Sequence, residues 1–140
     1  CRYEWEALPS NLLRYRGCPS CSMSKGEKFI KYYLEQNSID FEAQKRFPEC
    51  KNIRELPFDF YLPKYNCCIE FDGQQHYASA TYFVKDEEKA EQIYKDIKAR
   101  DLIKDNFCRE YNIVLLRIPY WKVNNISEVL NEFLRNLGRI

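Results

Sequence analysis

Two short segments rich in β-forming residues, separated by a four-residue turn, constrain the fold of this chain most strongly. Residues 58–62 and 67–72 are dominated by aromatic, aliphatic and cysteine side chains, and the turn between them begins at Pro63 and ends at Asn66. Such segments around a short turn predict an antiparallel hairpin. Residue 62 then pairs with residue 67, and Phe60 faces Ile69.

The segments on either side of this hairpin predict one small α/β domain. Ser24 and Glu27 have the spacing of a capping box, which predicts a helix that ends at Asn37 and Ser38. Further segments predict, in chain order, a strand at 41–47, a long helix at 86–108, a buried strand at 113–118, and a helix capped by Ser127 and ended by Gly138. The order of helix, three strands, helix, strand and helix predicts a mixed sheet.

Composition and charge exclude several classes of protein. Of the 140 residues, 45% are hydrophobic and 31% are charged, a balance typical of a folded globular domain. No apolar run reaches the roughly 18 residues that cross a bilayer, and no signal peptide is recognisable, so we expect an intracellular, reducing location without a membrane partner. The net charge of +1 gives no strong general attraction to nucleic acid. The chain starts at Cys1, and we expect upstream sequence, which would carry a targeting domain, to be missing.

Three carboxylates of the hairpin are expected to converge on one face. Side chains alternate along a strand, so Glu70 and Asp72 point the same way, and the register places Asp59 directly opposite Glu70. Opposite partners lie about 5 Å apart at Cβ, where like charges repel unless a cation lies between them. Oxygen ligands favour Mg²⁺ or Mn²⁺. The alternative is that these acids simply face solvent.

The same residues resemble a known family. Asp59, followed after eleven positions by Glu70-Phe71-Asp72-Gly73-Gln74-Gln75-His76, is similar to the active-site hairpin of the PD-(D/E)xK nuclease superfamily. The resemblance is stronger to the branch that contains very-short-patch repair endonucleases and phage EDxHD homing endonucleases. It implies a restriction-endonuclease-like mixed sheet flanked by helices over residues 23–140.

This resemblance implies metal-dependent hydrolysis of phosphodiester bonds. Asp59 and Glu70 would bind Mg²⁺ or Mn²⁺, which polarises the scissile phosphate, activates the attacking water and stabilises the leaving 3′ oxygen. Glu27 matches the helical acid that often completes such sites. The alternative for Glu27 is that it only caps its helix.

The sequence departs from the superfamily pattern at the motif lysine, because Asp72 occupies that position. Asp72 fits the EDxHD variant, and His76, the one histidine of the chain, would then serve as a general acid or base. On the long helix, Arg100 and Lys104 share one stripe with Asp101 at its edge, and the variant's histidine is replaced by Arg100. Asp101 and Lys104 are candidate catalytic residues, with surface salt bridges as the alternative.

The first 22 residues predict a separate metal-binding module. Cys18-Pro19-Ser20-Cys21 is a CxxC motif, and Cys1 adds a third thiolate to a structural Zn²⁺ site that normally has four ligands. The spacing resembles the second half of the zinc ribbons that precede such nucleases, which implies a fourth cysteine upstream. Arg14 and Arg16 are candidate nucleic-acid contacts, or else belong to a solvated loop. The other cysteines are expected to be small buried residues, namely Cys50, Cys67, Cys68 and Cys108.

The sequence therefore predicts a Mg²⁺-dependent DNA endonuclease of the homing or very-short-patch-repair type. A double-strand break would require a homodimer or two successive cuts. The alternative is a nuclease fold that has lost catalysis and binds nucleic acid or a protein partner.

Overall fold

A computed structural model describes residues 23–74 and 87–138 of the chain. Its elements are, in order, α1 (Lys25–Gln36), β1 (Glu42–Lys51), β2 (Glu55–Leu62), β3 (Cys67–Asp72), α2 (Glu87–Glu110), β4 (Val114–Pro119), a 3₁₀ helix (Tyr120–Asn125) and α3 (Ile126–Leu137). The predicted order of helix, three strands, helix, strand and helix is confirmed. The predictions for His76 and for the zinc module of residues 1–22 lie outside the described residues.

The four strands form one mixed sheet in the order β1-β2-β3-β4. The β2–β3 hairpin has the predicted register, with Leu62 opposite Cys67 and Phe60 opposite Ile69. Strand β4 runs parallel to β3, and a parallel neighbour requires a long crossover connection. Helix α2 lies in that crossover and packs against the sheet.

The helix boundaries confirm one predicted cap and correct another. Ser24 Oγ accepts a hydrogen bond from the backbone N–H of Glu27 at 3.2 Å, as expected for the residue that caps α1. Ser127 does not cap α3, because the chain is already helical before it reaches this residue. The 3₁₀ helix leads directly into α3, whose preceding residue Asn125 makes no side-chain capping bond. Gly138 follows the last residue of α3, as predicted.

Apolar side chains fill both faces of the sheet. Neighbouring residues Cys68 and Ile69 of β3 belong to different clusters because alternate side chains point to opposite faces. The cluster with Ile69 includes Ile30 of α1 and Leu130 of α3. The cluster with Cys68 includes Phe107 of α2, so the sheet lies between α1 and α3 on one side and α2 on the other. The free thiols predicted to be buried are indeed buried, namely Cys50, Cys67, Cys68 and Cys108. None of the helices in the described ranges is both long and apolar enough to cross a membrane.

Candidate active site

The carboxyl groups of Asp59 and Glu70 form the centre of the candidate site. They face each other across the β2–β3 hairpin, in agreement with the predicted register, and each affects the pKa of the other. Asp59 Oδ2 also accepts a hydrogen bond from the backbone N–H of Phe71 at 2.8 Å. Glu70 is only 5% exposed, so this pair is removed from most of the solvent that would screen its charges. Two carboxyl groups this close require a proton or a cation between them.

Lys104 of α2 supplies a positive charge to this pair. Its Nζ donates a hydrogen bond to Glu70 Oε1 in a buried ion pair, and it also lies 5.2 Å from the centre of the Phe58 ring. The hairpin has an acid at position 72, where the superfamily pattern has a lysine. Helix α2 instead brings a lysine, Lys104, to the carboxylate of Glu70 from a distant part of the chain.

Glu27 is a third acid that interacts with the carboxyl groups of Asp59 and Glu70. It lies in the first turn of α1, where burial and, to a smaller extent, the charge of Glu70 raise its pKa, and its own charge raises the pKa of Asp59. The preceding residue, Gly26, allows this approach because a Cβ atom at that position would collide with the Phe71 ring. The close packing of α1 on β3 therefore holds Glu27 near Asp59 and Glu70, although Glu27 also bonds to its capping residue Ser24.

Burial and mutual repulsion raise the pKa of each of these acids. The pKa of Glu70 rises to about 8, first because of burial and then because of the charge of Asp59, while Lys104 acts in the opposite direction. The pKa values of Asp59 and Glu27 are also raised, chiefly by burial. When all three acids are ionised, they and Lys104 carry a formal charge of −2, and either protons or a bound cation would reduce this repulsion.

Asp72 and Asp101 lie in a second ion-pair group centred on Arg117 of β4. Arg117 Nη1 lies 3.0 Å from Asp72 Oδ1 and 3.5 Å from Asp101 Oδ1, and Nη2 lies 2.9 Å from Asp105 Oδ1. Burial disfavours the charge on Arg117, but the three aspartates raise its pKa overall. The expected convergence of Asp72 with Asp59 and Glu70 is therefore replaced by pairing with an arginine. In the β3–β4 register, Arg117 is the partner of Glu70, so the two groups are adjacent.

Sequence reasoning missed both Arg117 and Asp105. The available signal was the single charge in the otherwise apolar segment 113–118, because an arginine in a buried strand needs an acidic partner. Of the predicted catalytic residues within the described ranges, the structure groups Glu27, Asp59, Glu70 and Lys104, and it groups Asp72 and Asp101 separately.

The carboxylates of Asp59 and Glu70 suit Mg²⁺ better than a metal ion whose ligands all come from the protein. Within residues 23–74 and 87–138, no three His, Cys, Asp or Glu side chains are arranged to hold a metal ion. Mg²⁺ commonly binds proteins through only one or two carboxylates, with water and substrate phosphate as the other ligands. Asp59 and Glu70 are two such carboxylates, and each perturbs the pKa of the other, as expected for neighbouring side chains.

Comparison with known proteins shows similarity to uncharacterized proteins of two viruses. Uncharacterized protein 033L of Invertebrate iridescent virus 3 is 36% identical over 138 residues, which cover 94% of this chain and 68% of the viral protein. The chain belongs to the 033L family. Uncharacterized protein 307L of Invertebrate iridescent virus 6 is 32% identical to this 033L-family chain over 83 residues, or 59% of the chain and 40% of 307L. No protein-family model and no solved structure matches the chain.

Proposed function

We propose that this 033L-family chain is a divalent-metal-dependent endonuclease that hydrolyses DNA phosphodiester bonds. The observation that carries the proposal is the group formed by Glu27, Asp59, Glu70 and Lys104 at the hairpin. It combines the acids that the PD-(D/E)xK resemblance implies with a lysine in contact with one of them. The mixed sheet with helices on both faces is compatible with that resemblance.

Asp59 and Glu70 would hold the metal. A bound Mg²⁺ or Mn²⁺ supplies positive charge that polarises the phosphate and lowers the pKa of an attacking water. The backbone N–H of Phe71 donates a hydrogen bond to Asp59 Oδ2, which anchors this carboxylate to the neighbouring strand. In the hydrolysis, the water oxygen forms a new bond to phosphorus, the bond to the 3′ oxygen breaks, and a proton passes to that oxygen.

Lys104 and Glu27 have roles that follow from their charges. The ammonium of Lys104 is the group best placed to stabilise the negative charge that develops on the phosphate oxygens, since it is nearly buried and already lies at Glu70. A carboxylate such as Glu27 at the edge of the acid pair can orient a water by accepting a hydrogen bond from it. Both roles depend on where the side chains lie in space and not on the spacing of the motif in the sequence.

Cleavage of supercoiled plasmid DNA tests this proposal. The wild-type protein in Mg²⁺ or Mn²⁺ should nick or linearise the plasmid, and the activity should disappear in EDTA and in Asp59→Ala. Asp40→Ala is the matched control, because Asp40 is an exposed aspartate in the link between α1 and β1 and should leave cleavage unchanged. Persistent cleavage by Asp59→Ala would contradict the proposal. If the protein slows the migration of DNA in a gel but no form of it cleaves DNA, the result would favour the alternative of a nuclease fold that binds nucleic acid without cutting it.

Three further expectations are tested by other measurements on the full-length protein. A structural zinc on Cys1, Cys18 and Cys21 should appear as metal content of the purified protein that Cys18→Ser reduces. A homodimer that cuts both strands should yield linear plasmid without accumulated nicked circles. Arg14 and Arg16 should contribute to DNA affinity if the segment that contains them contacts the phosphate backbone.

A further inference from the structure

The tip of the β1–β2 hairpin carries an unusually exposed apolar side chain. Ile53 is 93% exposed, the highest value among the large hydrophobic residues of the described ranges. It lies between Asn52 and Arg54 in the turn that joins the two strands. A single exposed isoleucine is common on protein surfaces, so Ile53 matters here because of the charged residues that surround it.

A cavity lies between this hairpin tip and helix α2. Its volume is about 450 Å³, and it is lined by Asn52, Ile53, Arg54 and Leu56 from the hairpin and by Arg100 from the helix. Pockets that hold ligands have volumes of about 300 to 1,000 Å³. Two exposed arginines, an amide and an isoleucine on the rim of one cavity can contact phosphates and bases together.

The positive charge of this surface is available for a partner. Arg54 and Arg100 are exposed, and neither has an ion pair with another residue of the described ranges, in contrast to Arg117 with its three aspartates. Glu55, the acid next to Arg54 in the sequence, lies opposite Lys51 in the strand ladder, so the formal charges of Lys51, Arg54, Glu55 and Arg100 sum to +2. The surface therefore keeps the two arginine charges, although the whole chain has a net charge of only +1.

This surface is continuous with the candidate active site. Arg100 and Lys104 are four residues apart on α2, which places them on the same face of the helix about 6 Å apart along its axis. On the strand side, Leu56 of the cavity is two residues from Phe58, whose ring lies against Lys104. The separation of Arg100 and Lys104 along α2 places both residues within reach of neighbouring phosphates of one DNA strand.

We infer that the β1–β2 hairpin tip and Arg100 form the surface that holds duplex DNA beside the cleaved phosphate. Arg54 and Arg100 bind backbone phosphates, and Ile53 makes an apolar contact with the bases or sugars of the groove. Apolar side chains that enter a groove between flanking cations are a recurrent mode of DNA binding. This inference rests on the proposed function, because it assigns the substrate-binding surface of that same site.

The test measures binding of a short fluorescein-labelled DNA duplex by fluorescence anisotropy in Ca²⁺ over a range of salt concentrations. The double variant R54A/R100A should weaken binding by about tenfold or more and reduce the salt dependence of log K by about two. The matched control K64A/R135A removes the same charge from other exposed positions and should change affinity less than about twofold. Ile53→Ser should weaken binding by about five- to tenfold without altering the salt dependence.

Plasmid cleavage by the same variants separates failure of this inference from failure of the proposed function. R54A/R100A should raise KM and leave kcat nearly unchanged, because the arginines bind the DNA away from the reacting phosphate. If the wild type binds and cleaves DNA and the two double variants behave alike, the inferred surface is wrong and the endonuclease proposal stands. If the wild type neither binds nor cleaves DNA, both are wrong.

Discussion

Substitution of Asp59 by asparagine should stabilise the metal-free protein, because it removes one of two carboxylates that repel each other. Asparagine has nearly the same size as aspartate, and its amide oxygen can still accept the hydrogen bond from the backbone N–H of Phe71. Its amide nitrogen can donate to Glu70, so a repulsive contact becomes an attractive one. The ion pair between Glu70 and Lys104 is left in place.

The magnitude follows from Coulomb's law. Two unit charges about 5 Å apart at an effective dielectric constant of about 20 repel by about 3 kcal/mol. Lys104 already offsets part of this repulsion, and the raised pKa of Glu70 means that a proton offsets part of the remainder below about pH 8. We therefore expect a gain of about 1 to 2 kcal/mol at about pH 8, which corresponds to about 3 to 6 °C in Tm for a domain of this size.

Thermal unfolding in EDTA measures this gain, with Asp40→Asn as the control for loss of an exposed aspartate. Added Mg²⁺ should then raise the Tm of the wild type and leave that of Asp59→Asn nearly unchanged, since a ligand that binds only the folded state stabilises it. A variant that melts below the wild type in EDTA would refute the argument, because it would show that Asp59 contributes more as a hydrogen-bond acceptor than it costs as a charge.

Three other perturbations address the same two groups of charges. Lys104→Gln should reduce plasmid cleavage by about 10²-fold or more while DNA affinity, measured by anisotropy, falls by much less. A comparable loss in both assays would mean that Lys104 only binds DNA. The pH dependence of stability should also differ between the wild type and Glu70→Gln. The folded protein holds an extra proton on Glu70 between the ordinary pKa of 4.5 and about 8, so the free energy of unfolding of the metal-free wild type should fall as the pH rises through this window. Urea titrations should show a smaller fall for the variant, and parallel pH profiles would contradict this assignment. Arg117→Met should lower the free energy of unfolding by about 3 to 5 kcal/mol because it removes the cation that pairs with the buried carboxylate of Asp72, and the added substitution Asp72→Asn should restore part of the loss. No rescue by the second substitution would show that the methionine disrupts packing instead.

The hairpin could be predicted from the sequence because its information is local. A four-residue turn fixes the register of the strands that it joins, and alternation then determines which side chains share a face. The same reasoning placed Asp59 opposite Glu70 and identified Glu27 through its capping spacing.

The partners of the hairpin acids could not be predicted in this way. The contact between Lys104 and Glu70 depends on the position of α2 along the sheet. Packing of Phe107 and its apolar neighbours determines that position. Asp72 lies on the expected face, but no local signal distinguishes a metal ligand from the partner of an arginine on β4. Ser127 illustrates a different difficulty, because its helix continues a preceding 3₁₀ helix and needs no cap.

The separation between the acids and their lysine has a consequence for the order in which the candidate site is assembled. Glu27, Asp59 and Glu70 all precede α2, and Lys104 follows Glu70 by 34 residues. A newly made chain that ends before α2 contains every acid of the site and lacks the cation that offsets their repulsion. We expect such a chain to be unable to close the hairpin stably. Docking of α2 is then the step that completes the candidate site, so under the proposed endonuclease function a chain that lacks α2 would bind and cut no DNA.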